Sequence, residues 1–301
     1  MLSIRIPALL LFLAMAVQAT NVVLKENERI PGKGRYIYSY DDDVANKCGV
    51  VVMIGVGTAM PASAYRILSK KTSAGASIVT VFFDHNSGSL DKTDDKKYAD
   101  FYNAFTENLS EYVPVCEGKS PKIIAGGHSA GGRAGLQAMM HRGIEPDGFI
   151  GLDPYQASKD RIRGIGAKAA PATEIASDLP VLSWGFERRT CAVDPKIAGK
   201  SQYNLSGENN RVFFRANNGS ARGVGHCDFT DSGCGPLPFC PNPQNDDVKD
   251  VVAESIKVFA AGVVAGSISK SNFGFDTTNP SVPIDVFVNS EDVFAPSEAE
   301  L

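Results

Sequence analysis

The chain has 301 residues and a formal net charge of −4, with 43% hydrophobic and 21% charged residues. This composition excludes a disordered chain, a coiled coil and a collagen-like fibre. Because basic residues are not in surplus, nothing electrostatic favours a nucleic-acid partner, and we expect none. The length allows one large domain, or two at most, with a core that needs no metal or covalent staple.

The start of the chain has the pattern of a secretory signal peptide. A short segment with one positive charge, residues 1–5, precedes a nearly continuous apolar run over residues 6–17. That run is too short to span a bilayer, and the residues before Ala19 suit cleavage after it. We expect residues 1–19 to be a signal peptide, residues 20–301 to form a single domain, and the mature protein to have no stable membrane span.

The cysteines agree with an oxidising compartment. There are six of them, and Cys234 and Cys240 lie in a loop rich in Gly and Pro with no pair of histidines nearby, which is not a metal-binding pattern. Three Asn-x-Ser sequons, at Asn108, Asn204 and Asn218, permit glycosylation but occur often by chance.

Apolar runs alternate with segments of helical periodicity along the chain. Residues 50–57 (VVVMIGVG) and 78–84 (IVTVFFD) are typical of strands buried on both faces. Further strands are predicted at residues 122–126, 149–153, 181–186 and 212–216, and an extended piece at 283–288. Helices are predicted at residues 63–74, 94–112, 132–142 and 248–267. This alternation indicates an α/β protein with a mostly parallel, doubly wound sheet.

Residues 127–131 (GHSAG) match the pattern Gly-x-Ser-x-Gly between a buried strand and a helix. This is the context of a nucleophile elbow, the sharp strand-to-helix turn that exposes a serine. Side chains in place of the glycines would clash with the neighbouring strand and helix. Ser129 is therefore the candidate nucleophile, at a helix N-terminus that favours a developing oxyanion.

A serine nucleophile needs a base, and the chain has four histidines. With a serine on such a turn, the acid and then the histidine follow it in the chain, which excludes His85 and His128. His141 lies about three turns along the same helix, roughly 18 Å away. Elimination leaves His226, between glycines that suit a loop presenting an imidazole.

The acid that orients this imidazole has three candidates. Glu187 and Asp194 follow the predicted strand at residues 181–186, and position alone does not decide between them and Asp153. Asp153 is favoured because a hydrophobic strand delivers it directly to the carboxyl edge of the sheet, where ligands bind.

An oxyanion hole needs two backbone N–H donors. The N–H of Ala130, directly after the nucleophile, is one. The second should come from the loop after the strand at residues 50–57, and we choose Thr58 because Gly57 lets the backbone approach closely.

Four segments in this order resemble the chlorophyllase family of α/β-hydrolases. They are residues 57–65 (GTAMPASAY), 127–132 (GHSAGG), 151–154 (GLDP) and 225–228 (GHCD). In that family they hold the oxyanion loop, the nucleophile, the triad acid and the triad histidine. The resemblance implies an α/β-hydrolase fold, with a mostly parallel central sheet and helices on both faces, and serine-esterase chemistry without cofactor or metal.

The expected substrate is a small-molecule or lipid-like carboxylic ester, cleaved through an acyl-enzyme by a monomer. A lipase or a polyester (cutin-type) hydrolase is the alternative within enzymes, because those groups share the GLDP and GHSxGG motifs. The alternative of another class is a catalytically inactive hydrolase fold that binds lipid. Met60, Tyr155 and Trp184 are candidates for an apolar pocket and equally for the core. Secretion is the expected location, with a complex plastid reached through the secretory route as the alternative.

Strand order then suggests a pairing of the cysteines. Cys48 and Cys116 precede strands that should be sheet neighbours, so we expect them to be bridged. Cys191 and Cys227 follow the last two core strands and would tether the His226 loop. Cys234 with Cys240 would close the Pro-rich loop.

Overall fold

The structure is a computed structural model, and it describes residues 21–85, 95–155, 179–187, 191, 210–217, 224–234, 240, 245–273 and 283–289. The expected signal peptide, the sequons at Asn204 and Asn218, and Asp194 lie outside the described residues. The account below concerns the described residues.

The described residues form a single nine-stranded sheet with the order β1-β2-β4-β3-β5-β6-β7-β8-β9. The strands are β1 (Val22–Ile30), β2 (Gly34–Asp41), β3 (Val50–Gly55), β4 (Ile78–Phe83), β5 (Lys122–His128), β6 (Gly148–Leu152), β7 (Val181–Phe186), β8 (Arg211–Ala216) and β9 (Ile284–Val288). Each strand predicted from the sequence is present within two residues of its expected bounds.

Six neighbouring strands are parallel to one another, as predicted; in sheet order they are β4, β3, β5, β6, β7 and β8. Every residue of β3 and β4 is buried, because helices cover both faces of the sheet. Alternate residues of β3 enter different cores: Val52 and Ile54 pack in one, and Val51 and Met53 in the other. The predicted α/β architecture is confirmed at this level.

The helices are α1 (Arg66–Ser73), α2 (Asp95–Glu107), α3 (Leu109–Tyr112), α4 (Ala130–Arg142) and α5 (Asp246–Ala265). Helices α1 and α5 pack together on one face, and α2 and α4 on the other. The single helix predicted over residues 94–112 is wrong in one respect: it breaks at Asn108, whose φ of −124° and ψ of 34° are not helical. No helix of the described residues is long and apolar enough to cross a membrane.

Two features of the sheet edges were not predicted: the β1–β2 hairpin, and the antiparallel pairing of β9, which was expected only as an extended piece. An antiparallel hairpin, β1 and β2, extends the sheet beside β4, and β9 closes the other edge antiparallel to β8. The hairpin reverses through Gly32, which has a φ of +70°. Lys33 N–H donates to the carbonyl of Ile30 across this turn at 3.0 Å.

The strand order reverses direction beside β3, which lies between β4 and β5. After β3 the chain continues to β4 on one side, and the next strand, β5, then pairs on the other side. Such a switch point opens a crevice at the carboxyl ends of the strands, where ligands bind in open α/β sheets. The loops that follow β3 and β5 lie beside this crevice.

Three disulfides join the six cysteines. Cys48–Cys116 is bonded as predicted, over 68 residues of sequence. The other two predicted pairs are wrong, because the bonds are Cys191–Cys240 and Cys227–Cys234. The sulfurs of Cys227, Cys234 and Cys240 all lie within 4.8 Å of one another, so strand order could not decide which of them pair.

Candidate active site

Ser129 sits on a strained turn between β5 and α4. Its φ of 53° and ψ of −120° lie outside the regions that residues with a side chain prefer. Two backbone bonds hold the turn: Ser129 N–H donates to Leu152 O at 3.1 Å, and Tyr155 N–H donates to Ser129 O at 2.8 Å. The strand, the turn and the helix together present a half-buried serine at the switch point.

The glycines on either side of this serine are required by space. A Cβ at Gly127 would lie 2.1 Å from the carbonyl carbon of Gly131, and one at Gly131 would lie 2.1 Å from the carbonyl oxygen of Gly55. Both obstacles are backbone, which cannot move aside. The clash expected from the sequence is therefore confirmed.

Asp153 and His226 meet in the structure although 73 residues separate them. His226 Nδ1 lies 2.6 Å from Asp153 Oδ2, and both side chains are buried. Asp153 directly follows β6, with a φ of 40°, and its N–H donates to the carbonyl of Trp184 in β7 at 2.9 Å. The neighbouring strand thus fixes the carboxylate that contacts the imidazole.

Burial sets the charge state of this pair. It lowers the pKa of His226 to about 3 and raises the pKa of Asp153, because the charged form of each loses its water. The short hydrogen bond to His226 opposes the rise at Asp153, since it stabilises the carboxylate. When Asp153 is ionised it accepts from Nδ1–H, which leaves Nε2 of a neutral His226 as a proton acceptor.

The two expected oxyanion donors belong to Ala130, directly after the serine, and to Thr58, directly after Gly57. Ala130 is the first residue of α4, so its N–H has no partner within the helix. A Cβ at Gly57 would lie 3.4 Å from Ser129 Cβ, so the backbone before Thr58 passes close to the nucleophile. Gly57 N–H itself donates to Tyr65 Oη at 3.1 Å, whereas no described residue accepts from Thr58 N–H.

A chain of hydrogen bonds runs beneath the nucleophile between two loops. It starts at Gly57 N–H and passes through Tyr65, whose Oη lies 2.7 Å from His128 Nδ1. His128 Nε2 in turn lies 2.9 Å from the backbone carbonyl of His226. The loop of residues 56–62, here called the oxyanion loop, is thereby joined to the turn that carries His226.

The proton positions in this chain follow from its two ends. A carbonyl oxygen only accepts, so His128 Nε2 must carry a hydrogen and donate it to His226 O. Burial lowers the pKa of His128 well below its ordinary value, so its Nδ1 is bare and accepts from the Tyr65 hydroxyl. Burial also raises the pKa of Tyr65, which keeps that hydroxyl protonated. Hydrogen bonds are therefore donated in one order along the chain: from Gly57 N–H to Tyr65, from the Tyr65 hydroxyl to His128, and from His128 to the carbonyl of His226.

The sequence did not reveal this role of His128 and Tyr65. His128 was excluded as the base by its place in the chain, and in the structure its ring nitrogens contact Tyr65 and the carbonyl of His226. The signal available in the sequence was the position of His128 inside GHSAG, one residue before the candidate nucleophile.

Asp228 holds the turn that presents His226. Its carboxylate accepts from Gly225 N–H at 2.7 Å and from Asn245 N–H at 3.2 Å, so it ties the turn to the start of α5. The side chain is fully buried, and burial raises its pKa to about 6. Sequence reasoning used Asp228 only as part of a motif and missed this contact.

The remaining candidates differ in their exposure. Glu187 follows β7 but is exposed, and His141 is exposed in the last turn of α4. Trp184 belongs to the core: it stacks on Phe214, and its Nε1–H donates to Ser255 Oγ at 2.8 Å. Met60 is also in the core, and Tyr155 is half-buried beside the Arg133 guanidinium.

Two groups of side chains have the closeness of metal ligands. They are Cys191, His226 and Cys234, and Cys227, Cys234 and Cys240. All of these cysteines are oxidised in disulfides, and a metal ligand must be a thiolate. The grouping therefore reflects two adjacent disulfides beside His226.

Comparison with known proteins returned no match: no family model and no curated protein matches this sequence.

Proposed function

We propose that this chain is a serine hydrolase of carboxylic esters, built on an α/β-hydrolase fold. The observation that carries the proposal is the 2.6 Å contact between His226 Nδ1 and Asp153 Oδ2. Ser129 lies on a strand-to-helix turn with a φ of 53°, next in the chain to His128, whose ring centroid is 4.5 Å from that of His226. We take the buried acid, the imidazole and this strained, half-buried serine to be a catalytic triad.

In the acylation step, Ser129 Oγ attacks the ester carbonyl while Nε2 of His226 takes its proton. Asp153 keeps Nδ1–H directed at itself, which fixes the imidazole tautomer and stabilises the imidazolium that forms. The imidazolium then gives its proton to the leaving alcohol. An acyl-enzyme on Ser129 and a free alcohol result.

The tetrahedral intermediate places negative charge on the former carbonyl oxygen. The N–H groups of Ala130 and Thr58 are the donors we assign to it. In the second half of the cycle, water activated by His226 attacks the acyl-enzyme and releases the acid. Each of these steps uses groups that the chain itself supplies.

The resemblance to chlorophyllases favours esters of apolar alcohols or lipids as substrates, cleaved by a monomer. Three disulfides among the described residues fit an oxidising, extracellular environment, in agreement with the proposed signal peptide. We therefore propose a secreted enzyme.

The test is hydrolysis of p-nitrophenyl esters of graded acyl length by the wild type and by Ser129→Ala. We expect the variant to lose at least about a thousandfold in kcat. The matched control is Ser120→Ala, an exposed serine just before the opposite end of β5, which should retain full activity. Equal activity of the wild type and Ser129→Ala would refute the nucleophile.

Two further assays separate the alternatives. Preference for emulsified triglyceride or for polymer film over soluble esters would indicate a lipase or a polyester hydrolase. Binding of lipid without turnover of any ester would indicate an inactive hydrolase fold.

A further inference from the structure

A second concave site lies on the same sheet edge, beyond the oxyanion loop. It is a cleft of about 430 Å³ between the turn of the β1–β2 hairpin, the end of β4 and the start of α2. This volume lies within the range of small-ligand sites. Its floor includes Asp84 and the buried His85, and the basic residues described next form its rim.

The rim of the cleft is strongly cationic. Arg29, Lys33, Arg35 and Lys97 all line it, in a chain whose net charge is −4. Arg29 and Arg35 are direct cross-strand partners in the hairpin. Like charges in directly opposed positions of an antiparallel pair are destabilising. Pairing these two arginines therefore costs free energy of folding, and it places two positive charges side by side at the cleft.

Lys33, one of the cations of the rim, shares its acidic partner with a second lysine. Asp100 lies 3.5 Å from Lys33, but it is shared with Lys96, which is closer at 2.9 Å. One carboxylate oxygen of Asp84 accepts from Ala62 N–H at 2.7 Å. Burial raises the pKa of Asp84, against the opposing effects of that bond and of Arg35.

The floor of the cleft also supports the oxyanion loop. His85 Nε2 lies 2.8 Å from the carbonyl of Val56, and Asp84 holds Ala62 at the other end of the same loop. The cleft and the proposed oxyanion hole thus share one loop between them. Strands β2, β4, β3 and β5 are successive neighbours, so three strand spacings, roughly 14 Å, separate Arg35 on β2 from the strand that leads to Ser129.

We propose that this cleft binds a phosphate or sulfate group, with Arg29 and Arg35 as its principal ligands. Guanidinium groups suit tetrahedral oxyanions because their N–H donors form two parallel hydrogen bonds. The group belongs either to the ester substrate or to a free anion that acts on the oxyanion loop. Only this link to catalysis rests on the proposed function; the binding does not.

The binding test uses inorganic phosphate at constant ionic strength, followed by calorimetry and by the melting temperature. The variant is Arg29→Gln/Arg35→Gln, and Lys25→Gln is the control because Lys25 is an exposed cation on the same strand outside the cleft. We expect saturable binding to the wild type and to Lys25→Gln, and binding at least about tenfold weaker to the double variant. Equal binding to all three, or none to the folded wild type, would overturn the proposal.

The same measurement on Ser129→Ala separates this proposal from the catalytic one, since binding is expected to survive in that variant. Kinetics then identify the source of the anion. If the substrate carries it, the double variant should lose kcat/KM selectively for an ester bearing a terminal phosphate, compared with its neutral analogue. If the anion is free, added phosphate should change the turnover of the neutral ester by the wild type and not by the double variant.

Discussion

His128 lies directly beneath the proposed active site, and its contacts illustrate how single residues determine the geometry there. Its ring centroid is 4.5 Å from that of His226, and it joins Tyr65 on one side to the His226 backbone on the other. A buried histidine with both nitrogens occupied cannot act as the base, but it can hold the base in place. Its position therefore couples the oxyanion loop to His226, the proposed base.

Removing the Tyr65 hydroxyl should test this coupling. Tyr65→Phe leaves Gly57 N–H and His128 Nδ1 without their partner in a buried site, a cost of about 1–3 kcal/mol in the free energy of unfolding. We expect kcat on a p-nitrophenyl ester to fall by roughly tenfold or more while KM changes little, because the loss affects the oxyanion hole. Denaturant unfolding and steady-state kinetics measure the two effects.

The control for Tyr65→Phe is Tyr36→Phe, a buried tyrosine of β2 with one long hydrogen bond, to Tyr112 O at 3.4 Å. It should retain kcat. If Tyr65→Phe is destabilised but keeps the wild-type kcat, the chain of hydrogen bonds stabilises the fold and does not contribute to turnover.

The choice of Asp153 over the other acids gives a second prediction at this scale. Asp153→Asn keeps the size of the side chain but places an amide against His226, so the tautomer that accepts a proton is lost. We expect kcat/KM to fall roughly 10³- to 10⁴-fold. Glu187→Gln is the control and should be unaffected because Glu187 is exposed. Equal losses in the two variants would contradict the assignment.

At the scale of elements, the strands of the core could be predicted because short, continuous apolar runs between turn residues are typical of strands buried on both faces. The elbow could be predicted because its glycines are required by backbone contacts. The β1–β2 hairpin was missed: β1 is half-buried, both strands mix charged and apolar residues, and only the turn glycines marked it. The break at Asn108 was missed because apolar periodicity continues across it.

The disulfides show a further limit of reasoning from strand order. Strand order places the ends of strands, and it correctly paired Cys48 with Cys116 at the amino edge of β3 and β5. It does not place cysteines within one cluster, where Cys227 and Cys234 pair through a turn of seven residues. The pairing near His226 depends on local loop geometry, which cannot be predicted from the periodicity of apolar residues.

The two kinds of disulfide should affect the proposed activity and the stability differently. Cys227→Ser/Cys234→Ser frees the turn that begins at His226, so we expect kcat to fall, with a smaller loss of stability. Cys48→Ser/Cys116→Ser opens a loop of 68 residues far from the site and should cost about 4 kcal/mol with unchanged kcat. Kinetics and denaturant unfolding of both variants provide the comparison, and unchanged kcat in the first variant would contradict it.

At the scale of the whole molecule, the site depends on burying titratable groups in a sheet covered on both faces. His128 is fully buried, and its pKa is lowered well below its ordinary value of 6.5. Below about pH 6.5, His128 binds a proton in the unfolded chain but not in the folded chain. The free energy of unfolding should therefore fall as the pH falls, by about 1.4 kcal/mol per pH unit from this residue.

A comparison of variants isolates this contribution. His128→Gln should lose less stability than the wild type between pH 6.5 and pH 5, by about 1.4 kcal/mol per pH unit. His141→Gln, which removes an exposed histidine of α4, should follow the wild type. Parallel curves for the wild type and His128→Gln would mean that His128 is not buried in its neutral form.

The central claim is that Ser129 is an activated nucleophile, and covalent labelling tests it most directly. A fluorophosphonate reacts with a serine only where a base and an oxyanion hole activate it. We predict one adduct per chain in the intact mass, located on Ser129 by peptide mapping, and no adduct in Ser129→Ala or His226→Ala. A folded wild-type protein that gives no adduct, or one on another residue, would contradict the claim.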